Sequence, residues 1–219
     1  KKGKDSLKDQ AYVLWGIPAH TLSRTLFPLG DLTKEEVRNI ARKNKFETAE
    51  IPESMEICFV ADNNYKRFLK EYTPEKMSEI GAGEIVDESG VVVGEHSGYT
   101  DYTIGQRKGL GLSTPEPRYV SNIDPSNNQI RIGKKGSLSK NNCEVSGVNW
   151  LVDNMSFPCD VQAQIRYNSP VIDATITQKD HQFSVEFGKP QIAVTPGQSI
   201  VFYQDDVVLG GGIIEKNIE

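Results

Sequence analysis

The sequence predicts an α+β chain with a helical N-terminal stretch, a small mixed central region rich in β-hairpins, and a small C-terminal β-barrel. Three observations carry this. Helix stop and start residues with apolar stripes of helical spacing crowd the chain up to Tyr72; from Gly83 the apolar period changes to two; beyond Cys143 short alternating segments succeed one another with turn residues between them.

In order, Ser6-Leu-Lys-Asp-Gln-Ala-Tyr-Val-Leu-Trp15 reads as a helix capped by Ser6, with Leu7, Ala11, Leu14 and Trp15 on one face and Gly16 and Pro18 as its stop. A short helix is expected over Ala19 to Leu26, ended by Pro28 and Gly30. A third starts at Thr33, because Thr33-Lys-Glu-Glu36 has capping-box spacing and Val37, Ile40 and Ala41 make a stripe. Three helices with no strand make a poor core, so these should cover a sheet outside the sequence. A further helix runs from Asn64 to Tyr72. Glu84–Asp87 and Val91–Gly94 flank Glu88-Ser-Gly90 as a hairpin with glycine in the left-handed position, and Tyr119–Asp124 and Gln129–Gly133 form a second. The strands expected next are Asp160–Tyr167, Val171–Thr177, Phe183–Phe187, Ser199–Tyr203 and Val207–Gly210, which suit a closed barrel or a sandwich. The crowding of Gly, Ser, Lys and Asn over Lys134–Asn142 marks a junction. The expected domains are therefore 1–62, 63–142 and 143–219.

The 219 residues suffice for sizeable cores. No apolar run has the length of a bilayer span and no signal core follows the basic N-terminus, so a cytoplasmic protein without a membrane partner is expected. Cys58, Cys143 and Cys159 are odd in number and widely spaced, which argues against a disulfide framework and against a metal site. A net charge of −5 disfavours a surface built wholly for nucleic acid. The charge is uneven: Lys1 to Lys45 carries ten Lys/Arg against five Asp/Glu. That excess suits either a solvated face or an RNA-binding one.

Two stretches could carry chemistry. Ile51-Pro-Glu-Ser-Met-Glu-Ile-Cys-Phe-Val60 places Cys58 between large apolar residues where a loop meets a packed segment, so it is either a small buried hydrophobe or a guarded nucleophile. Thr103-Ile-Gly-Gln-Arg-Lys-Gly-Leu-Gly-Leu112 is a basic glycine-rich loop. Its lysine is misplaced for a nucleotide P-loop, and its glycines serve turns or phosphate equally well.

Lys8-Asp-Gln10, Leu26-Phe-Pro-Leu-Gly30, Glu53-Ser-Met-Glu-Ile-Cys-Phe59, Thr103–Leu110, Ala193-Val-Thr-Pro-Gly-Gln-Ser199 and Leu209-Gly-Gly-Gly-Ile-Ile214, in that order, resemble the tRNA-specific 2-thiouridylases nearly end to end. The resemblance implies sulfur transfer to the wobble uridine of tRNA, the uridine being activated by ATP (with Mg) in an N-terminal domain. It implies that the first helices are the remnant of an α/β nucleotide domain. No S-G-G-x-D-S stretch occurs here, so no cofactor is expected in this chain and these residues alone should not turn over. By the same resemblance Cys58 carries the persulfide, received from a sulfur-donor persulfide protein, and Lys8, Asp9, Gln10, Arg166, Tyr167 and Gln198 meet the tRNA. Gln106, Arg107 and Lys108 either support the loop or contact RNA. Cys143 and Cys159 read as structural. The competing reading is a non-catalytic RNA-binding β-barrel module.

Overall fold

The computed structural model describes residues 1–52, 60, 62, 64–167, 169–180 and 182–218, the last three by backbone alone. Cys58 and the 53–59 motif lie outside the described residues. Internal contacts divide the chain into two units, Lys1–Ile51 with Lys140–Glu219, and Pro52–Ser139.

The N-terminal segment departs from the expected α-helix over Ser6–Trp15. Asp5 Oδ1 accepts from the Leu7 N–H at 3.1 Å, and Asp9 Oδ1 accepts from those of Gly3 (2.7 Å) and Ala11 (3.3 Å). Side-chain carboxylates thus take backbone donors and fold the segment as turns. What remains helical is a 3-10 helix over Ala11–Gly16, and a second 3-10 helix over Ala19–Arg24 replaces the helix expected to Leu26. The third expectation holds: α1, Lys34–Lys43, has a full capping box, with Thr33 Oγ1 accepting from Glu36 N at 3.2 Å and Glu36 Oε2 from Thr33 N at 2.6 Å. These contacts, with the Lys4 ammonium, hold the Glu36 carboxyl down at about 2.

In the other unit α2, Tyr65–Tyr72, begins at Asn64, whose Oδ1 accepts from Arg67 N at 3.0 Å. Phe68 and Tyr72 stack one turn apart, centroids 4.3 Å, as the helical stripe requires. A short α3, Pro74–Glu79, follows with proline in its first turn, an element the sequence did not predict. Both hairpins form as expected: β1 (Gly83–Val86) with β2 (Val92–His96), and β3 (Tyr119–Asp124) with β4 (Gln129–Gly133), while Gly90 sits at φ +83°. They join into one sheet of order β2-β1-β4-β3 through a parallel β1–β4 pairing. Ile85, Val120, Ile130 and Ile132 are buried in it with Leu110 from the glycine-rich loop.

The C-terminal residues close a six-stranded barrel: β5 (Ser139–Trp150), β6 (Cys159–Gln164), β7 (Ile172–Lys179), β8 (Gln182–Ile192), β9 (Ser199–Gln204) and β10 (Val207–Ile218), in the order β10-β5-β8-β7-β6-β9. Closure leaves no open sheet edge. Alternate residues fill the interior, among them Cys143, Val145, Val161, Ala163, Ala174, Ile176, Val185, Phe187 and Ile214, and Trp150 packs there on Phe157, Phe183 and Phe202. Strand β9 breaks the alternation because both of its faces are covered. Ile200 and Phe202 face the barrel core, whereas Val201 and Tyr203 join a second cluster with Ala11, Tyr12 and Val208. The N-terminal segment therefore lies on the outside of the barrel, and its apolar side chains do not all wait for a sheet elsewhere.

The Leu209-Gly-Gly-Gly run of β10 makes this approach possible. A Cβ on Gly211 would lie 2.7 Å from Trp15 Cγ and 2.7 Å from the Ile200 carbonyl oxygen; one on Gly212 would lie 2.5 Å from Val145 Cγ1 and 2.7 Å from the Ser146 carbonyl oxygen. Among the described residues no helix is long and apolar enough to cross a membrane. Gly212→Ala should cost about 1–3 kcal/mol through overpacking between β10 and β5. Urea unfolding of the variant measures this, and an unchanged midpoint would show that the strands give way freely.

Candidate functional site

Tyr12 organises one end of the barrel unit. In a 3-10 helix side chains three residues apart eclipse one another, so Tyr12 and Trp15 share a face. Its hydroxyl donates to the Ser199 carbonyl oxygen at 2.6 Å, and its ring lies 6.2 Å from that of Tyr167, tilted by 53°. Burial pushes the phenol up to about 12, against the opposing pull of the Arg166 guanidinium. One side chain thus links the segment after Lys8-Asp-Gln10, the Arg166-Tyr167 pair and the start of β9.

Arg166 and Tyr167 stand just past the end of β6, on a bend rather than within the strand expected to Tyr167. Arg166 is exposed and Nη2 reaches the Ile192 carbonyl oxygen at 3.4 Å, while Tyr167 leaves 46% of its surface open. An exposed guanidinium beside a half-open aromatic ring can pair with a phosphate and stack on an unpaired base. Gln198 is exposed on the turn entering β9. Its N–H donates to the Thr195 carbonyl at 3.1 Å and its carbonyl accepts from Ile214 N at 2.9 Å, with Gly197 at φ +84°.

Lys8 and Gln10 are exposed on either side of Asp9. The Asp9 carboxylate braces the backbone at Gly3 and Ala11, and its charge adds to the burial that raises the Tyr203 phenol. Lys2 Nζ sits 4.4 Å from the centroid of the Tyr203 ring, and the Tyr203 hydroxyl donates to Gln164 Oε1 at 2.9 Å. The motif residues reach the barrel end through these secondary contacts. Asn149 Nδ2 anchors the same segment on the carbonyls of Trp15 (2.5 Å) and Ile17 (2.9 Å).

Gln106, Arg107 and Lys108 belong to the other unit. Gln106 is a brace: Oε1 accepts from Thr103 N at 3.0 Å and Nε2 donates to the Lys108 carbonyl at 3.0 Å. Arg107 and Lys108 point their charges from an exposed stretch. Among the described residues no group of three or more His, Cys, Asp and Glu could hold a metal ion.

Tyr12 and Asn149 are the residues the sequence reading passed over. A helix of 3.6 residues per turn put Leu7, Ala11, Leu14 and Trp15 inward and left Tyr12 unassigned; the 3-10 period brings Tyr12 onto the inward face beside Ala11 and Trp15, while Leu7, ahead of the 3-10 turn, stays exposed. The aromatic residue immediately following Lys8-Asp-Gln-Ala was the available signal.

Both described thiols are poor nucleophiles. Burial pushes Cys143 from the ordinary 9.0 up to about 12, and burial with the Asp160 charge raises Cys159. Below pH 9 folded and unfolded chains hold the Cys143 proton alike; as pH rises from 9 towards 12 the unfolded chain loses it first, so this contribution to stability disappears across that window. Denaturation midpoints should fall on going from about pH 8 to about pH 11, and fall less in Cys143→Ala. An identical fall in the variant would remove the thiol from the account.

Residues 1–62 match the tRNA methyl transferase HUP domain, 66–134 the tRNA methyl transferase PRC-barrel domain, and 140–214 the aminomethyltransferase β-barrel domain. Three relatives, each a tRNA-specific 2-thiouridylase MnmA, come from Chlorobium phaeobacteroides (47% identity), Carboxydothermus hydrogenoformans (47%) and Symbiobacterium thermophilum (46%). Each alignment covers 99% of this chain and, respectively, 61, 59 and 55% of the relative, so the chain spans about three fifths of the length of the curated relatives it matches. Matched in this way from end to end, the chain belongs to the tRNA-specific 2-thiouridylase family.

Proposed function

We propose that this chain is the sulfur-handling and RNA-docking part of a cytoplasmic tRNA 2-thiouridylase, which transfers persulfide sulfur to the ATP-activated wobble uridine. The observation that carries the reading is the gathering of Arg166, Tyr167, the Gln198 turn and the Lys8–Gln10 segment around Tyr12. An exposed cation, an open ring and an amide side chain in one place are what an unpaired stretch of RNA requires. The relatives, named as tRNA-specific 2-thiouridylases, support tRNA as the substrate class.

In this reading the chain contributes three parts: 1–62 ends the nucleotide domain and carries the cysteine segment, 63–142 is the central domain, and 143–219 is the barrel. Cys58 takes the outer sulfur of a donor protein's persulfide; that sulfur attacks the uridine carbon whose oxygen ATP has adenylated, AMP leaves, and a second cysteine thiol of the full-length protein, other than Cys143 and Cys159, breaks the S–S bond and ends in a disulfide with Cys58. The other two cysteines do not compete, because burial keeps them protonated at neutral pH. ATP and Mg bind outside this chain, and the 219 residues alone catalyse no adenylation.

Two measurements test this. In a full-length protein carrying this sequence, Cys58→Ser should abolish thiolation of tRNA supplied with ATP and a sulfur donor while leaving tRNA affinity within about two-fold, as expected for a group used only in the chemical step; retained thiolation would remove Cys58 from the chemistry. Arg166→Ala should weaken tRNA binding and reduce the slope of log K against log salt by about 1, whereas an unchanged slope would rule out a phosphate contact there.

A further inference from the structure

The proposed function leaves the glycine-rich basic loop of the Pro52–Ser139 unit unused. That loop is built rather than slack. Gly105, Gly109 and Gly111 hold φ of +87°, +74° and +68°, where a side chain would be strained. Gly105 N donates to the Val120 carbonyl at 2.8 Å and Val120 N to the Gln106 carbonyl at 2.9 Å, stitching the loop to β3, and the Gln106 side chain ties Thr103 to Lys108. Leu110 is buried in the sheet core. Leu112 fills the space over Gly94, where a Cβ would come within 2.5 Å of Leu112 Cδ2.

With its leucines anchored inward, the chain from Arg107 to Arg118 encloses an open cleft of about 660 Å³. Arg107 and Arg118 line it together with Gly109, Gly111, Ser113 and Thr114. The carboxylate in its wall is already engaged: Glu116 meets Lys134 Nζ at 3.0 Å, and that contact holds its carboxyl below the usual range. Arg118 has only a long contact, 3.7 Å, to Glu88. The cleft therefore offers two guanidinium forks and little opposing charge in a chain whose net charge is −5. Guanidinium forks match phosphate oxygens in pairs. Among the described residues no aromatic ring lines it, so none of them would hold a base there by stacking.

We propose that the Arg107–Arg118 cleft binds a backbone phosphate of the tRNA, as a sequence-independent contact separate from the residues around Tyr12. This rests on the reading of the chain as an RNA-docking protein. The missing aromatic wall favours a phosphodiester of a polymer held elsewhere along its length over the phosphate of a free nucleotide, which would need a pocket for its base.

The test uses the whole 219-residue chain with unmodified tRNA, its affinity followed by fluorescence anisotropy as salt rises from about 50 to about 200 mM. Arg107→Ala should lower the slope of log K against log salt by about 0.7–0.9, and the Arg107→Ala/Arg118→Ala pair by about twice that, equally for tRNAs of different anticodon. Because Arg118 also faces Glu88, the single Arg107→Ala variant on the exposed loop carries the test if the pair melts early. Salt-sensitive binding by the unaltered chain with an unchanged slope in Arg107→Ala would overturn the cleft and leave the docking function standing. No salt-sensitive binding by the unaltered chain would overturn both. A separate titration with inorganic phosphate, followed by the NMR shift of the arginine Nε–H groups, identifies the source: saturation by phosphate with an unchanged RNA slope would make this a free-anion site and overturn the RNA assignment.

Discussion

Trp15 rests on the bare backbone of Gly211, and the rest of the site depends on that contact. A side chain at this position would meet the indole and the Ile200 carbonyl together, so the N-terminal segment could not lie on the barrel. With the segment seated, Tyr12 reaches Ser199 and Tyr167, Asn149 takes the carbonyls of Trp15 and Ile17, and Val201 and Tyr203 lose their exposure to water. Burying side chains of this size contributes about 1.5–3 kcal/mol apiece. The glycine run of β10 is thus a packing requirement first, and it gathers the residues on which the proposed RNA contact rests.

Charge is arranged around this seat in a consistent way. Asp9 is consumed by backbone donors, Lys2 by the face of Tyr203, and Glu36 by Lys4 and the cap of α1. Arg166 extends past the end of β6 with only a long contact to a carbonyl. Each of these charges is engaged by a neighbour, whereas the cation beside the open tyrosine ring faces solvent. The described thiols are structural in the same sense: Cys143 is buried in the barrel core and Cys159 packs against it.

The Pro52–Ser139 unit solves a different problem. Two hairpins alone are marginal, but the parallel pairing of β1 with β4 makes four strands with one buried face. Gly83 permits that junction, since a Cβ there would strike the Asn128 carbonyl oxygen, and His96 fills the adjoining space with Nε2 3.1 Å from the same oxygen and Nδ1 accepting from Gly98 N. A rigid sheet is then available to hold the glycine-rich loop in one shape.

The sequence by itself determined whatever depends on neighbours along the chain. Thr33 and Glu36 specify the start of α1, Gly90 and the Pro125-Ser-Asn-Asn128 turn specify the two hairpins, and the alternation through Val161, Ala163 and Ile165 specifies a strand with one buried face. The order of motifs, from Lys8-Asp-Gln10 to Leu209-Gly-Gly-Gly, was enough to indicate the family. Tertiary structure decided what depends on contacts remote in sequence. Tyr12 is 187 residues from Ser199, and the period of its turn is 3-10 because Asp9 and the barrel surface capture backbone and side chains that an α-helix would have used otherwise. The long bulged course of β10, the burial of β9 on both faces and the parallel β1–β4 pairing likewise follow from surfaces meeting, which no local pattern records.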